Sequence, residues 1–351
     1  MRALLVLLAR LAYALVKPWL FRQDAEQVHD WTVRQLNARP GRMLRRAPHP
    51  SDPVEVLGIR FAHRVGLAAG FFKNPADARG LMATQYAFGE IGSITALAQA
   101  GNPKPRLFRF AQQGLILNRM GFNNVGAMGA LARLQELERS GGLDRPYFVN
   151  IGKSKAAGSG QQAILDIAQS YSLLSNFGAA TVINLSSPNT PGLRGLMNAE
   201  FLSGLWEAME AARRTRPILL KIHSDFVDEE FRELLGWARG ADLDGIVCSN
   251  TTVQRNWEFA AVTSLDATVG SAGGISGRAL KRLALPRVRA LRESLRPEQV
   301  VVGCGGIMSS DDARAYLDAG AALVECYSGW IYGGPGWEER VAQGLAAALD
   351  K

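Results

Sequence analysis

Eight short apolar segments alternate with helical segments along most of the chain, and this alternation restricts the possible folds more than any other feature. The strand candidates lie near 65–69, 88–94, 147–151, 180–185, 217–222, 244–249, 299–303 and 321–327. The helical patterns after them lie near 75–84, 123–139, 161–177, 199–214, 228–238, 278–294, 310–319 and 336–349. Apolar strands separated by helices indicate a parallel sheet covered on both faces. Eight such units in 351 residues favour a (β/α)8 barrel, the TIM barrel of the α/β class, over an open doubly wound sheet.

Polar residues follow the predicted strands at the end where such a barrel forms its active site. They are Lys73, Ser93, Asn150, Asn184 with Ser187, Lys221, Ser249 to Thr251, Gly305 with Gly306, and Tyr327 with Ser328. Ordinary loops would not supply so many amides and two lysines at one rim. We therefore expect these side chains to surround a polar ligand.

The segment from Ile183 to Gly192 is the most informative of these strand ends. It leaves an apolar strand and contains two asparagines, two serines and two prolines. Amide side chains both donate and accept hydrogen bonds, so Asn184 and Asn189 suit a flat polar ligand. Ser187 could serve as a nucleophile or a base. Taken alone, the segment is equally consistent with an ordinary Asn/Ser/Pro turn.

Glycine-rich loops after the seventh and eighth strands suggest a phosphate site. Gly303 to Gly306 end the seventh strand, and Tyr327 to Gly329 end the eighth. Barrels often bind a phosphate between these two loops through backbone N–H groups. A tight turn explains the glycines about as well. Neither GxGxxG nor GxxxxGK[ST] is present, so a mononucleotide such as FMN fits better than a dinucleotide or a P-loop ligand.

Three further segments are read as additions to the barrel. Val54 to Ile59, with Phe61, predicts a short hairpin that closes one barrel end. The alternating pattern of Pro105 to Leu117 predicts a second hairpin. Asn250 to Gly277 is a long loop, and loops of this length are usually functional lids or disordered.

Residues 1–45 precede the barrel domain, which we place at 46–351, and they show two amphipathic helical patterns. The apolar stripe of the first helix consists of Leu4, Leu7, Leu8, Leu11, Ala12 and Leu15. The second helix starts at a capping box of Asp24 and Gln27. Its stripe consists of Val28, Trp31, Thr32, Gln35 and Leu36. A bilayer span needs about 20 apolar residues, and Arg10 interrupts the first run, so the helices are expected to lie on a membrane. A cleaved signal peptide and simple packing on the barrel are the alternatives.

Charge and rare residues exclude several other functions. The net charge of +8 suits an anionic ligand or membrane face, but no basic stripe with interleaved aromatics indicates nucleic acid. The cysteines, Cys248, Cys304 and Cys326, stand singly in apolar runs and are predicted to be buried thiols. Four scattered histidines lack the spacing of metal ligands. We predict neither a metal nor a disulfide.

Taken together, these segments resemble the quinone-dependent, class 2 dihydroorotate dehydrogenases over nearly the whole chain. The matching segments are Gly66 to Gly70 with Lys73, Glu90 to Ser93, Gly101 to Arg109, Asn118 to Asn124, Asn150 to Lys153, Asn184 to Arg194, Lys221 with Ile222, Ser249 to Thr252, Gly273 to Arg278, Gly303 to Ile307 and Tyr327 to Gly329. The motifs NRMGFNN and NLSSPNTPGLR are the most specific of these.

The resemblance implies an FMN enzyme that oxidises (S)-dihydroorotate to orotate in pyrimidine synthesis and reduces a membrane quinone. Ser187 would be the catalytic base, where the soluble class 1 enzymes use cysteine. The implied substrate residues are Lys73, Asn118, Arg119, Met120, Gly121, Phe122, Asn184, Asn189, Asn250 and Thr251. The implied FMN residues are Ala69, Gly70, Lys73, Ser93, Asn150, Asn184, Lys221, Ser249, Gly277, Gly306, Tyr327 and Ser328. The helices would form a quinone entrance on a monomer attached peripherally to the cytoplasmic side of the inner membrane.

Several positions depart from the family pattern. Phe72 stands where an acidic residue usually precedes the lysine. The other departures are Ser93, Ser249, Ala96 to Gln99, His223 with Ser224, and His63 with Arg64. Two other functions are therefore weighed: a related flavin barrel that acts on a dihydropyrimidine or on tRNA dihydrouridine, and a non-catalytic barrel at a membrane.

Overall fold

A computed structural model describes residues 2–38, 52–210, 212, 215–255 and 272–349 of the chain. Its strands are β1 (Val54–Val56), β2 (Ile59–Phe61), β3 (Val65–Phe72), β4 (Phe88–Ile94), β5 (Leu107–Phe110), β6 (Leu115–Asn118), β7 (Tyr147–Gly152), β8 (Ala180–Asn184), β9 (Ile218–Ile222), β10 (Gly245–Cys248), β11 (Gly274–Gly277), β12 (Val300–Cys304) and β13 (Leu323–Cys326). Eight of them close a parallel barrel in the order β3-β4-β7-β8-β9-β10-β12-β13. The predicted TIM barrel is confirmed, and each predicted strand overlaps one of these eight.

Helices cover the outside of the barrel. The described α-helices are α1 (Arg2–Leu20), α2 (Ala25–Ala38), α3 (Gly126–Arg139), α4 (Gln161–Leu174), α5 (Ala199–Glu210), α6 (Asp228–Gly240), α7 (Lys281–Ser294), α8 (Ser310–Asp318), α9 (Ser328–Gly333) and α10 (Trp337–Leu349). The first predicted barrel helix is instead a 3-10 segment, Pro75–Ala83. Gly80, inside the segment, disfavours an α-helix, whereas Pro75 stands at the first position, where proline is tolerated. A Cβ on Gly80 would lie 2.7 Å from the ring of Phe72.

The interior of the barrel is apolar at one end and polar at the other. Phe61 of the β1–β2 hairpin is 1% exposed and packs edge-on against Phe88 and Phe148, at centroid distances of 5.1 and 6.2 Å. Both partners lie near the beginning of their strands. The hairpin therefore closes the amino-terminal end of the barrel, as predicted, and leaves the opposite end for the site.

The N-terminal helices pack on the barrel and also leave apolar side chains exposed. In α1, the hydroxyl of Tyr13 donates to Ile331 O at 2.6 Å, and Lys17 donates to Tyr332 O at 2.7 Å. Leu11, Leu15, Val16 and Trp19 are exposed. No helix among the described residues is long and apolar enough to span a bilayer.

The buried face of α2 differs from the predicted stripe. Ala25, His29 and Val33 are buried, whereas Trp31 is 52% exposed. The helix is therefore rotated relative to the prediction, and Val28 and Leu36 of the predicted stripe are only half-buried. Its predicted N-cap is present, since Asp24 accepts from Gln27 N at 2.8 Å. The proposed boundary between residues 45 and 46 lies outside the described residues.

A three-stranded antiparallel sheet covers the carboxyl-terminal rim. It pairs β5 with β6 and β6 with β11. The predicted hairpin at Pro105 to Leu117 is confirmed by the β5–β6 pair. The end of the long Asn250–Gly277 loop supplies β11, while residues 256–271 of that loop lie outside the described residues.

Candidate active site

A cleft opens at the carboxyl ends of the barrel strands, beneath the β5-β6-β11 sheet. It encloses about 1170 Å³ of empty space, with its open mouth included. Nearly all the predicted site residues line it: Ala69, Gly70, Lys73, Ser93, Asn118, Met120, Gly121, Phe122, Asn184, Ser187, Asn189, Lys221, Ser249, Asn250, Thr251, Gly277, Gly306, Tyr327 and Ser328. Segments distant in sequence therefore meet at one rim.

Two predicted site residues do not line the cleft. Arg119 follows β6, where successive side chains point to opposite faces, so it points away from its neighbour Asn118. Its guanidinium donates to Pro105 O at 3.2 and 3.1 Å and lies over the ring of Phe108. Asn150 is fully buried one layer deeper in the barrel. It donates to Glu90 and accepts a 3.4 Å bond from Asn184.

The amide of Asn184 organises the loop that follows β8. Its nitrogen donates to the hydroxyl of Ser93 at 2.9 Å. Its oxygen accepts from the hydroxyl of Ser186 at 2.7 Å and from the Ser186 N–H at 3.2 Å. Asn250 donates to the same Ser186 hydroxyl at 2.9 Å. One side chain thus joins the ends of β4, β8 and β10.

Ser187 is 5% exposed, and its hydroxyl oxygen accepts from the backbone N–H of Asn189 at 3.2 Å. Within the described part of the chain, no carboxylate or imidazole hydrogen-bonds to this hydroxyl. The N–H donor stabilises negative charge on the oxygen rather than removing its proton. The hydroxyl is therefore positioned and shielded from water, but it lacks the adjacent base that activates the serine of a hydrolase.

A second group of amides faces Ser187 from the inserted sheet. Asn189 donates to the side-chain oxygen of Asn118 at 3.0 Å, and Asn102 donates to Asn189 O at 3.2 Å. Thr251, in the loop after β10, has a buried hydroxyl oxygen with no hydrogen-bond partner among the described residues. Because buried polar groups are normally paired, this hydroxyl is available to a ligand.

Lys221 lies inside the barrel between two buried glutamates. Its ammonium is 2.7 Å from Glu90 and 3.2 Å from Glu325, and both carboxylates are fully buried. Burial alone would lower the pKa of Lys221, but the charges of Glu325 and Glu90 outweigh it and raise that pKa. Burial, together with Glu90, raises the pKa of Glu325 well above its usual range. Neither glutamate was among the predicted site residues, although an acidic residue inside an apolar strand is an available signal.

Lys73 contacts the N-terminal extension directly. Its ammonium lies 2.6 Å from Nε2 of His29 on α2. Burial lowers the pKa of Lys73 to about 8, despite the nearby carboxylates of Asp30, Glu26 and Asp77. Burial and the charge of Lys73 hold the pKa of His29 well below its usual range. The imidazole is therefore neutral, and it was not among the predicted site residues.

The departure at Phe72 leaves Lys73 at the cleft. Phe72 is 1% exposed and packs edge-on against Phe71 at a centroid distance of 5.0 Å. Phe71 in turn contacts His29 at 4.8 Å and Tyr327 at 6.0 Å. The side chain of Phe72 is therefore part of the core between α2 and the barrel, while Lys73, the next residue in the chain, lines the cleft.

The loops after β12 and β13 form the glycine-lined side of the cleft. Gly306 has φ +70°, and a Cβ there would lie 2.4 Å from Lys281 N, so only glycine fits this turn. The hydroxyls of Ser276 and Ser328 lie 2.9 Å apart at the same side. All three cysteines are free and buried, which confirms the prediction of buried thiols. No group of three potential metal ligands occurs among the described residues.

A closed barrel with a polar, lysine-bearing cleft at its carboxyl-terminal rim defines an enzyme of the TIM-barrel class. Comparison with known proteins identifies the family. The family described as dihydroorotate dehydrogenase matches residues 53–349. The chain belongs to the dihydroorotate dehydrogenase family, whose members are oxidoreductases.

Individual relatives match over nearly their full length. A dihydroorotate dehydrogenase (quinone) of Nocardioides sp. (strain ATCC BAA-499 / JS614) is 42% identical over 342 residues, which cover 93% of this chain and 95% of that protein. The corresponding protein of Thermobifida fusca (strain YX) is 40% identical over 341 residues, 93% of this chain and 90% of that one. The crystal structure of DHODH from Eimeria tenella in complex with ferulenol is similar with a TM-score of 0.83 at 32% identity, covering 93% and 92% of the two chains.

Proposed function

We propose that this protein uses FMN to oxidise (S)-dihydroorotate to orotate, with a membrane quinone as electron acceptor, in de novo pyrimidine (UMP) biosynthesis. One observation carries the proposal: Ser187 and Lys221 line the same cleft, together with the amides of Asn118, Asn189 and Asn250. A proton acceptor, a buried cation and several amides are the groups that such a reaction requires.

The substrate is a dihydropyrimidine ring with one carboxylate, two carbonyls and two N–H groups, and it becomes flat on oxidation to orotate. The paired amides of Asn118 and Asn189, 3.0 Å apart, and the unpartnered hydroxyl of Thr251 are suited to hold its edge. Amide side chains satisfy both donors and acceptors of a planar ring. We assign substrate binding to Lys73, Asn118, Met120, Gly121, Phe122, Asn184, Asn189, Asn250 and Thr251. Arg119 would act indirectly, because its carbonyl accepts from Asn102 at 3.0 Å.

Ser187 would remove the proton from C5 of the substrate. A serine hydroxyl is a poor base at its ordinary pKa and depends on positioning. The N–H of Asn189, 3.2 Å from the hydroxyl oxygen, would stabilise the negative charge that develops there. The low exposure of the serine keeps bulk water away from the reacting carbon.

The residues around the cleft fit a flavin mononucleotide. The hydroxyls of Ser276 and Ser328 and the turn at Gly306 suit its phosphate. One buried oxygen of Glu325, which has no hydrogen-bond partner within the described part of the chain, can accept a hydrogen bond. Bound FMN would accept the hydride from C6. We assign its binding to Ala69, Gly70, Lys73, Ser93, Asn184, Lys221, Ser249, Gly277, Gly306, Tyr327 and Ser328. Lys221 would stabilise negative charge on the reduced ring, and Asn150 would support Asn184 from below.

The N-terminal helices would connect the site to a membrane. Leu11, Leu15 and Trp19 on α1 and Trp31 on α2 are all exposed, at 53, 81, 59 and 52%. Apolar side chains flanked by basic residues favour a helix that lies in the membrane interface. Phe71 contacts both His29 of α2 and Tyr327 of the cleft, and the quinone would approach along α2. We propose a monomer attached peripherally to the cytoplasmic side of the inner membrane.

The visible spectrum of the purified protein tests the proposal. Protein saturated with FMN should be yellow and should lose its flavin absorbance when dihydroorotate is added without oxygen. Adding a short-chain quinone should then restore the absorbance. A protein that binds no flavin, or whose flavin is reduced only by another substrate in a screen of dihydropyrimidines, would overturn it.

A further inference from the structure

Two charged residues that do not line the cleft connect three of the loops that form it. Arg194 follows the β8 loop, and Asp225 lies in the loop after β9. Their side chains form an ion pair with a distance of 2.6 Å, and they are 17% and 8% exposed. Neither touches the empty space of the cleft. Any effect they have on a ligand must therefore pass through the residues that they hold.

Arg194 holds the backbone on both sides of the site. Its Nε donates to Ser186 O at 2.8 Å, one residue before Ser187. Its Nη2 donates to Thr251 O at 2.6 Å, one residue after Asn250. The third arm of the planar guanidinium binds Asp225. The ammonium group of a lysine is a point charge, so it cannot donate to these three acceptors in the fixed directions of a planar guanidinium.

Asp225 extends the same connection along the β10 loop. Its carboxylate accepts from the Thr252 hydroxyl and, at 2.8 Å, from Val253 N. Thr252 is fully buried, and its hydroxyl accepts from Gln254 N at 3.0 Å. The carboxylate is therefore satisfied by an arginine, a hydroxyl and a backbone N–H, which is the condition for keeping a charge in a partly buried place.

His223, one of the departures from the family pattern, belongs to this arrangement. Its Nδ1 accepts from Asp225 N at 3.1 Å, and its ring stacks on Phe226 at a centroid distance of 4.0 Å. Burial, with the charge of Arg194, lowers its pKa to about 3, although Asp225 acts in the opposite direction. The ring is neutral at ordinary pH, so Nδ1 keeps the lone pair that fixes the Asp225 backbone.

We propose that Arg194 and Asp225 are positioning residues for the dehydrogenation: their ion pair sets the Ser187 loop against the Asn250 and Thr251 loop. The assignment rests on the proposed function for the identity of the reaction. Misplacing reacting groups by about 1 Å can cost about 10²-fold in rate. The pair therefore affects the proton-transfer step without touching the substrate.

The variants R194K, R194Q and D225N test the assignment in the FMN-loaded protein. We expect anaerobic reduction by dihydroorotate to slow by about 10- to 100-fold and orotate to bind more weakly, with FMN content and quinone-dependent reoxidation unchanged. R194K should rescue little, because it supplies one donor group in place of the fork. R64Q is the matched control: Arg64 pairs with Asp52 at 3.1 Å at the other end of the barrel. It should lower thermal stability and leave the reduction rate within about twofold of wild type.

Hydrogen exchange separates this proposal from the proposed function. In R194Q and D225N, amide protection should fall together at 187–193 and 251–253 and stay unchanged in R64Q. If dihydroorotate does not reduce the flavin of the wild-type protein, the substrate assignment fails. The exchange pattern alone then tests whether the ion pair positions the two loops. Wild-type reduction rates in D225N and R194Q, or loss of protection in only one loop, would overturn the positioning role. Should R194Q not fold, R194K and D225N give the same comparison.

Discussion

The ammonium of Lys73 lies 2.6 Å from Nε2 of His29, so a side chain of helix α2 contacts a lysine at the barrel rim. The contact joins the N-terminal extension to the cleft by one hydrogen bond. It also places the lysine in a dry environment, where burial reduces the stability of its charged form.

The first prediction concerns the pH dependence of anion binding through Lys73. Burial lowers its pKa to about 8, so the side chain is cationic below that pH and neutral above it. The affinity for orotate should therefore fall as pH rises through about 8. Titrations of the FMN-loaded protein by fluorescence or calorimetry would measure this. K73M should bind weakly with little pH dependence over the same range, and an unchanged wild-type affinity up to pH 10 would contradict the assignment.

The second prediction concerns Ser187. Replacing it with alanine removes the proposed proton acceptor, and general-base catalysis commonly contributes about 10²–10⁴-fold. We expect S187A to keep its FMN and its melting temperature within a few degrees, while anaerobic reduction slows by about that factor. Stopped-flow absorbance gives the rate. S186A is the neighbouring control: it loses bonds to Asn184 and Asn250, so it should weaken orotate binding more than it slows reduction. Full turnover by S187A would favour a different base.

The third prediction concerns the charge on Glu325. Its pKa is raised by burial and Glu90, so the folded protein keeps a proton that an unfolded glutamate loses near pH 4.5. The resulting stability is complete below that pH and is lost as pH rises through the folded-state pKa. The free energy of unfolding of wild type should therefore decrease relative to E325Q as pH rises from 5. Denaturant unfolding at several pH values measures the difference, and a flat difference would show that Glu325 is already ionised.

Removing the lysine from the same cluster should destabilise the folded protein more than E325Q does. K221M leaves Glu90 and Glu325 buried beside each other without their cation. Breaking a buried ion pair in this way typically costs about 3–5 kcal/mol. The melting temperature of K221M should fall well below that of E325Q, which keeps a neutral hydrogen-bonding group at that position.

The fourth prediction concerns membrane attachment. Leu15 and Trp19 are 81% and 59% exposed on α1, so L15E/W19E should fold normally and lose binding to vesicles that contain anionic lipid. Co-sedimentation measures the bound fraction. L165E is the matched control, because Leu165 is 58% exposed on α4 of the barrel and should not affect binding. Equal vesicle binding by L15E/W19E and L165E would contradict the proposal that the N-terminal helices bind the membrane.

Much of the barrel could be predicted because its strands are buried on both faces and therefore apolar throughout. The β8 prediction, 180–185, differs from the observed Ala180–Asn184 by one residue. The orientation of α2 could not be predicted in the same way. Its sequence offers two possible faces, and the tertiary contacts of His29 with Lys73 and of Asn37 with Gly80 select the one that exposes Trp31.

The site shows a similar division between what sequence order determines and what packing determines. Residues at strand ends, such as Ser187 and Lys221, could be placed from the strand count alone. His29 could not, because it becomes part of the site only through Lys73, a partner distant in sequence. The depth of Asn150, which is fully buried inside the barrel, could not be read from a residue count.

The docking of α1 on α9 has a mechanical consequence. Tyr13 and Lys17 donate hydrogen bonds to the backbone carbonyls of Ile331 and Tyr332. Helix α9 begins at Ser328, beside the glycine loops. If α1 attaches to a membrane as proposed, a force on α1 would be transmitted through these two hydrogen bonds to α9. The rate of FMN release should therefore differ between protein bound to vesicles and protein free in solution. A difference would show that membrane binding and cofactor binding are coupled through the contact between α1 and α9.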